Sequence, residues 1–236
     1  KYIPLQISLA DPFARAAVFQ LDAIPAQAKA REQLVRWRFD KNCHIDTGQM
    51  TVALQSFHND KHHQGDNNHQ AIYAQAVSTK MIDGIKELCR QNKLMLNVMD
   101  MAANYLFNCV YESTTGSAGL IHLDSEYWTL MLWDSEKHIR YVRSKWYRSN
   151  ETDRDEELKM VMLDIERLLH TYNQDNTDRI SRIYIVPSPC SKQLFEQPRS
   201  EHADNTFTSF VDVKVPRAIN QTDDMYSMAA MTAIYR

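Results

Sequence analysis

Apolar and polar residues fall into short alternating or continuous blocks from the start of the chain. Residues 4–10 and 14–21 read as strands, separated by the turn signal Asp11-Pro12. Ile24-Pro25 leads into a helix over about residues 26–39. Ala30, Leu34 and Trp37, with Val35 beside them, lie on one face of it, and Arg31, Glu32, Arg36 and Arg38 occupy the rest. Residues 50–57 and 71–77 predict two further strands around a polar loop at 58–70. Ser78 is placed to cap a helix that reaches about Asn92, with a stripe of Met81, Ile82, Ile85, Leu88 and Cys89. Residues 94–99 are apolar on both faces, the pattern of a central strand covered on both sides. A short helix from Asp100 through Tyr111 follows.

Residues 113–117 (STTGS) are small and polar and lie between two complete patterns. They divide the chain into domains at 1–114 and 115–236. Beyond them the order is strand, strand, strand, helix, strand, helix. The strands are at 118–123, 127–133, 139–144 and 180–186, and the helices at about 155–172 and 225–235. Residues 134–137 make a tight hairpin turn. The first of these helices carries Leu158, Val161, Met162, Ile165, Leu168, Leu169 and Tyr172 on one stripe. Glu151, Asp153, Asp155, Glu156 and Glu157 crowd its start, where the helix dipole favours carboxylates. The fold class is α/β with an antiparallel opening to its second half.

Composition removes several functions. The chain is 44% hydrophobic and 24% charged, so it can bury a core, and its Lys and Arg are scattered at a net charge of −3. Nucleic-acid binding therefore has no electrostatic footprint. No apolar run approaches the ~20 residues of a membrane span and no signal peptide is visible. A cytoplasmic protein that reaches a membrane only through a partner is expected. Cys43, Cys89, Cys109 and Cys190 are far apart, and Cys89 and Cys109 read as buried reduced thiols within helical patterns.

Two clusters invite chemistry. His58, Asp60, His62, His63, Asp66 and His69 are metal-ligating types, but they sit on a polar loop without an apolar shell, so no metal site is expected there. Cys43-His44 offers a nucleophile beside a base, yet adjacent side chains diverge and no third group orients them.

The order of elements, with particular local sequences, resembles the PilM family of type IV pilus assembly proteins. The closest flavour is the MshI agglutinin-pilus branch, and the cytoplasmic domain of GspL is related. Residues 5–21 (LQISLADPFARAAVFQL) with the helix to Phe39 are similar to the family's strand pair and following helix. Residues 74–100 (AQAVSTKMIDGIKELCRQNKLMLNVMD), 165–174 (IERLLHTYNQ) with 180–189 (ISRIYIVPSP), and 228–236 (MAAMTAIYR) carry the rest. The resemblance implies an actin-like, RNase H-like two-domain fold, with a small subdomain inserted at about 10–69. The family's opening β-hairpin has no counterpart after Lys1, as expected of a chain that starts late in the fold. It also implies a cytoplasmic scaffold, peripheral to the inner membrane, in a pilus or type II secretion platform. Its partner would be the tail of a PilN-like protein, in an apolar groove for which Leu34, Trp37 and Phe39 are candidates.

The departures from the family concern nucleotide. A phosphate loop of DxGxxxT type is expected at residues 122–129 (HLDSEYWT), but its glycine position is held by Asp124 or Ser125, and Glu126 follows. Glycine lets a backbone approach a phosphate and its N–H groups do the binding. Residues 146–150 (WYRSN) replace a double glycine, and Ser188-Pro189 replace the adenosine-side pair, where proline removes a donor. Only five glycines occur in 236 residues. No ATP or Mg²⁺ is expected; most of Tyr127, Trp128, Trp133, Tyr141 and Trp146 are expected to be core or cross-strand packing, and some would fill the nucleotide cleft if it has closed. The rivals are an active actin-like ATPase and an RNase H-type nuclease using Asp100, Asp124 and Asp134.

Overall fold

A computed structural model describes residues 2–57, 70–111, 114–147, 154–175, 179–180, 182–187 and 210–212. The chain begins with β1 (Ile3–Leu9), a single 3-10 turn (Asp11–Phe13), β2 (Ala14–Leu21), α1 (Ala28–Cys43), β3 (Met50–Phe57) and β4 (Gln70–Ser78). It continues through α2 (Thr79–Gln91), β5 (Leu94–Met101) and α3 (Ala102–Tyr111). The later part holds β6 (Ala118–Leu123), β7 (Tyr127–Trp133), β8 (Ile139–Trp146), α4 (Arg154–Asp175), β9 (Arg182–Pro187) and β10 (Phe210–Asp212).

β4 lies between β2 and β3 in an antiparallel sheet. Side chains alternate across a strand, so this sheet feeds two cores. Phe19, Leu21, Ile72, Ala74 and Ala76 pack on Val35 and Phe39 of α1. Tyr73 and Val77, from the opposite face of β4, join Leu120, Met131 and Trp133 of the later sheet. The elements before and after residue 114 thus share one apolar core.

The later sheet has the order β10-β9-β6-β7-β8, antiparallel from β6 to β8 and parallel on the β9 side. Every residue of β6 and β7 is buried. One face meets the shared core. The other presents Ile121, Leu130 and Leu132 to Val161, Ile165 and Leu169 of α4, as the stripe predicts. Gly119 lets β6 sit this close to its neighbours, since a Cβ there would stand 2.7 Å from Leu132 Cδ2 and 2.8 Å from Ile183 Cδ1.

Several expectations need correction. Residues 94–99 are not a doubly covered central strand. β5 pairs in parallel with β1 in a two-stranded sheet, and Met95 and Val98 are 51% and 42% exposed. The fully covered strands are β6 and β7. On α1 the buried residues are Val35 and Phe39, because the helix lies against β2 along that line. Leu34 is partly buried against the same core. On α2, Leu88 lies outside the packed stripe and is 60% exposed. Cys89 is buried as expected, whereas Cys109 is exposed. The Ser78 cap forms, its Oγ accepting the Met81 N–H. The closing helix at 225–235 and the polar loop at 58–69 lie outside the described residues.

Candidate functional site

β1 and β5 run parallel, with one register shift between Leu5 and Gln6, and their carboxyl ends finish together, with Ser8 opposite Asp100 and Leu9 opposite Met101. The turn after β1, the start of α3 and the end of β6 meet at this point. The carboxyl ends of parallel strands are where α/β folds generally place their ligands.

Asp11 occupies the middle of the junction and has no exposed surface. Its Oδ1 accepts the N–H of Ala103 at 2.9 Å, one of the first donors of α3, which the helix itself leaves unpaired. A carboxylate is favoured at this positive end of the helix. Its Oδ2 lies 3.3 Å from His122 Nδ1, in a pair whose side chains are 0% and 1% exposed. The His122 Nε2 is buried without a hydrogen-bond partner among the described residues, and Asp124 Oδ2 stands 3.9 Å away. The ring of Tyr127 meets His122 edge-on at 5.4 Å. Burial raises the Tyr127 phenol far above its usual range, the Asp11 and Asp124 carboxylates add to this, and a hydrogen bond with the Asp11 backbone opposes it.

A second group adjoins it. Asp100 Oδ1 accepts the Met101 N–H at 2.8 Å and the Asn104 amide at 2.6 Å. Tyr73 donates to Asn104 Oδ1 at 2.9 Å and accepts from Gln75 at 3.0 Å. Burial raises the Asp100 carboxyl despite hydrogen bonds from Met101, Asn104 and Gln75, and Asp11 adds to the rise. Tyr105 is pushed up to about 12, by burial first and then by Asp100.

The residues standing where a phosphate loop is expected form a self-contained turn. The Asp124 N–H donates to the Tyr127 carbonyl at 2.9 Å. The Ser125 N–H and hydroxyl both donate to Asp124 Oδ1, at 2.6 and 3.0 Å. The Glu126 carbonyl accepts the Tyr147 N–H at 2.8 Å. The N–H groups of Asp124 and Ser125 and the Ser125 hydroxyl are engaged within the loop, and two of its side chains are acids. Ser188 and Pro189 lie outside the described residues, as do His58, His62, His63 and His69.

The aromatic residues separate by face. Trp133 is fully buried between Phe107 at 5.0 Å and Tyr184 at 6.2 Å. Trp128 belongs to the core under α4, and Tyr141 of β8, opposite Leu132, packs against the same core. Tyr127 continues outward through Trp146 at 5.7 Å to Phe13, whose ring lies 5.3 Å from Trp146. Phe13 and Trp146 are 53% and 37% exposed and form the rim of the junction.

Other candidates do not assemble. Asp124 precedes β7 and Asp134 follows it, so roughly 20 Å of strand separates them at ~3.3 Å per residue. No paired-metal nuclease centre can use both. Asp134 is engaged by Arg140 at 2.6 Å. Burial pushes the Cys43 thiol up, which opposes a thiolate, and His44 is an exposed left-handed cap. Phe39 is wholly buried, T-shaped against Phe19 at 5.1 Å, so it has no surface to offer a partner. Trp37 is 50% exposed, with the Arg38 guanidinium 5.3 Å from its ring. Asp11, His122, Tyr73 and Asn104 were missed by sequence reasoning. Asp11 and His122 meet across 111 positions, and no local spacing signals such a pair.

Among solved structures, the chain is similar to a PilM–PilN type IV pilus biogenesis complex, with a TM-score of 0.51 and 14% identity over 80% of this chain and 63% of that chain. It also aligns with a protein of actin-like ATPase fold and unknown function from Bacteroides thetaiotaomicron VPI-5482. That alignment has a TM-score of 0.43 and 9% identity over 82% of this chain and 62% of the other, too loose to carry an argument. The chain therefore spans less than two thirds of either structure's length. No family model and no curated protein matches the sequence. The architecture is the expected α/β, actin-like fold. Among the described residues no helix is long and apolar enough to cross a membrane.

Proposed function

We propose that the chain is a non-catalytic, actin-like scaffold of an inner-membrane assembly platform, of the type IV pilus (MSH-type) or type II secretion kind. It works in the cytoplasm by holding the tail of a PilN-like membrane partner. The observation that carries this reading is the junction at Asp11. At the carboxyl ends of β1 and β5, where α/β folds generally place ligands, the chain's own Asp11 carboxylate takes a helix N–H and stands beside a histidine. The shared core through Tyr73, Val77, Leu120 and Trp133 supports it, since opening the junction would expose buried apolar surface at about 25 cal/mol per Å². The self-paired turn at Asp124–Glu126 supports the absence of nucleotide in the same way. The likeness in fold to a PilM–PilN complex supports the choice of partner.

Isothermal titration of the protein with a synthetic cytoplasmic tail of the PilN-like protein of the same system tests this. A saturable isotherm, weakened by Trp37→Ala or Leu34→Ala, is expected. Absence of binding at hundred-micromolar concentrations removes the partner assignment.

A further inference from the structure

The outer side of the Asp11 junction lacks a positive group. Asp124 uses one carboxylate oxygen in its own turn, Oδ1, which accepts the Ser125 N–H and hydroxyl. Its Oδ2 meets no Lys or Arg among the described residues, and His122 Nε2, at 3.9 Å, is beyond hydrogen-bond reach. Nε2 is itself buried without a hydrogen-bond partner among those residues. Asp11 Oδ2 faces the other ring nitrogen at 3.3 Å. A carboxylate only accepts, so Nδ1 carries the proton and the neutral ring presents Nε2 as a lone pair. Two acceptors therefore face each other across 3.9 Å with no donor between them. Two carboxylates share this one histidine, and among the described residues no Lys or Arg pairs with either. Aromatic rings continue from the gap to solvent. His122, Tyr127, Trp146 and Phe13 follow one another edge to face, with 5.4, 5.7 and 5.3 Å between centroids.

We propose that Asp124, Trp146 and Phe13 form a docking site for an arginine side chain of a protein partner. Charge complementarity selects the occupant, since acids that turn away a phosphate attract a cation. The exposed rings narrow the choice further. A guanidinium stacks on aromatic faces, and its aliphatic stem covers apolar surface while the charged head stays polar. Its planar fork carries donors for both Asp124 Oδ2 and His122 Nε2. A bare metal ion has no use for the rings, and an apolar side chain has none for the carboxylate. The Asp124 side chain is 16% exposed, so it is reached from solvent, while His122 and Tyr127 close the inner end. The site shares no residue with the Trp37 face of α1, and it stands whether or not that face holds a partner's tail.

NMR titration of the full chain with a capped glycyl-arginyl-glycine peptide tests the site. The probe is the Trp146 indole N–H, assigned by its loss in Trp146→Phe. A saturable shift is expected. The same peptide with citrulline, which keeps the planar shape without the charge, should bind about tenfold more weakly. Asp124→Asn keeps an acceptor for Ser125 and should weaken the arginine peptide by about the same factor. Phe13→Ala, at an exposed ring, should weaken it as well, and the Tm of each variant shows that its fold is retained. The proposal is overturned if millimolar arginine peptide leaves the Trp146 signal unmoved, or if citrulline binds as well as arginine. It is equally overturned if Asp124→Asn binds as the parent does, or if magnesium chloride alone reproduces the shift.

Discussion

The carboxylate of Asp11 lies 3.3 Å from the imidazole of His122, and neither side chain has more than 1% of its surface exposed. One residue follows the first strand and the other lies on β6, so this buried contact adds a polar link between parts of the chain that also share an apolar core. Removing one partner of a buried hydrogen-bonded pair leaves the other unsatisfied, at about 1–3 kcal/mol. Asp11→Ala also strips the Ala103 N–H of its acceptor. A loss in that range is expected from urea unfolding, with Asp11→Asn milder because it keeps an acceptor for Ala103. A change below about 1 kcal/mol for the alanine variant would remove the junction from any structural role.

Asp100 sets a pH dependence. Its carboxyl is raised in the folded state, chiefly by burial, so the folded protein binds this proton more tightly than the unfolded chain does. By linkage, stability from this group is greatest below its unfolded value near ~4 and falls as pH rises through its higher folded value. Asp100→Asn keeps an acceptor for Met101 and abolishes the titration. Wild type should therefore lose urea midpoint relative to the variant between pH 4 and neutrality. Parallel curves would contradict the burial-driven shift.

Gly119 tests how tightly β6 is clamped. A methyl group there meets Leu132 Cδ2 at 2.7 Å and Ile183 Cδ1 at 2.8 Å. Both are ends of flexible side chains, so Gly119→Ala should cost about 1–3 kcal/mol without loss of fold, and Gly119→Val more. A neutral alanine variant, measured by chemical denaturation, would show that the strand can shift away.

On α1, stability and recognition should separate. Phe39→Ala removes a ring wholly buried against Phe19 and should cost about 3–5 kcal/mol. Trp37→Ala removes a half-exposed ring and should change stability by about 1 kcal/mol or less. Thermal melts of both decide this, and a reversed order would mean that the helix face is assigned wrongly.

Nucleotide should have no effect on the melt. A ligand that binds the native state alone raises stability by RT ln(1 + [L]/Kd). With Asp11 at the start of α3 and the Asp124 turn paired to itself, Mg-ATP at millimolar concentration is expected to leave Tm unchanged. A saturable rise would restore an active ATPase as the better reading.

Much of the fold was legible because it is local. The α4 stripe needs only the helical period, and Val161, Ile165 and Leu169 are buried as that period requires. The Ser78 cap and the turn from Asp134 to Lys137 are decided by residues within four positions of one another. Residues 94–99 misled for the opposite reason. Hydrophobic content says that a strand can be covered, whereas coverage depends on which other strands lie beside it, and β5 is beside β1. Leu88 and Trp37 were misplaced similarly, because a helical period locates an apolar stripe only to within about one residue of the line actually packed.

By itself the sequence determined the succession of strands and helices through β9, the α/β class, the absence of glycine from residues 122–129 and the acids at positions 124 and 126. These follow from backbone propensity and short-range periodicity, which operate over a few residues. Tertiary structure alone decided that Asp11, a residue that looked like part of a turn, would be buried beside His122 at the start of α3. That contact exists because parallel β1 and β5 finish together and the shared core draws β6 against them. Closure over 111 positions is a property of how whole sheets pack, which no local pattern encodes.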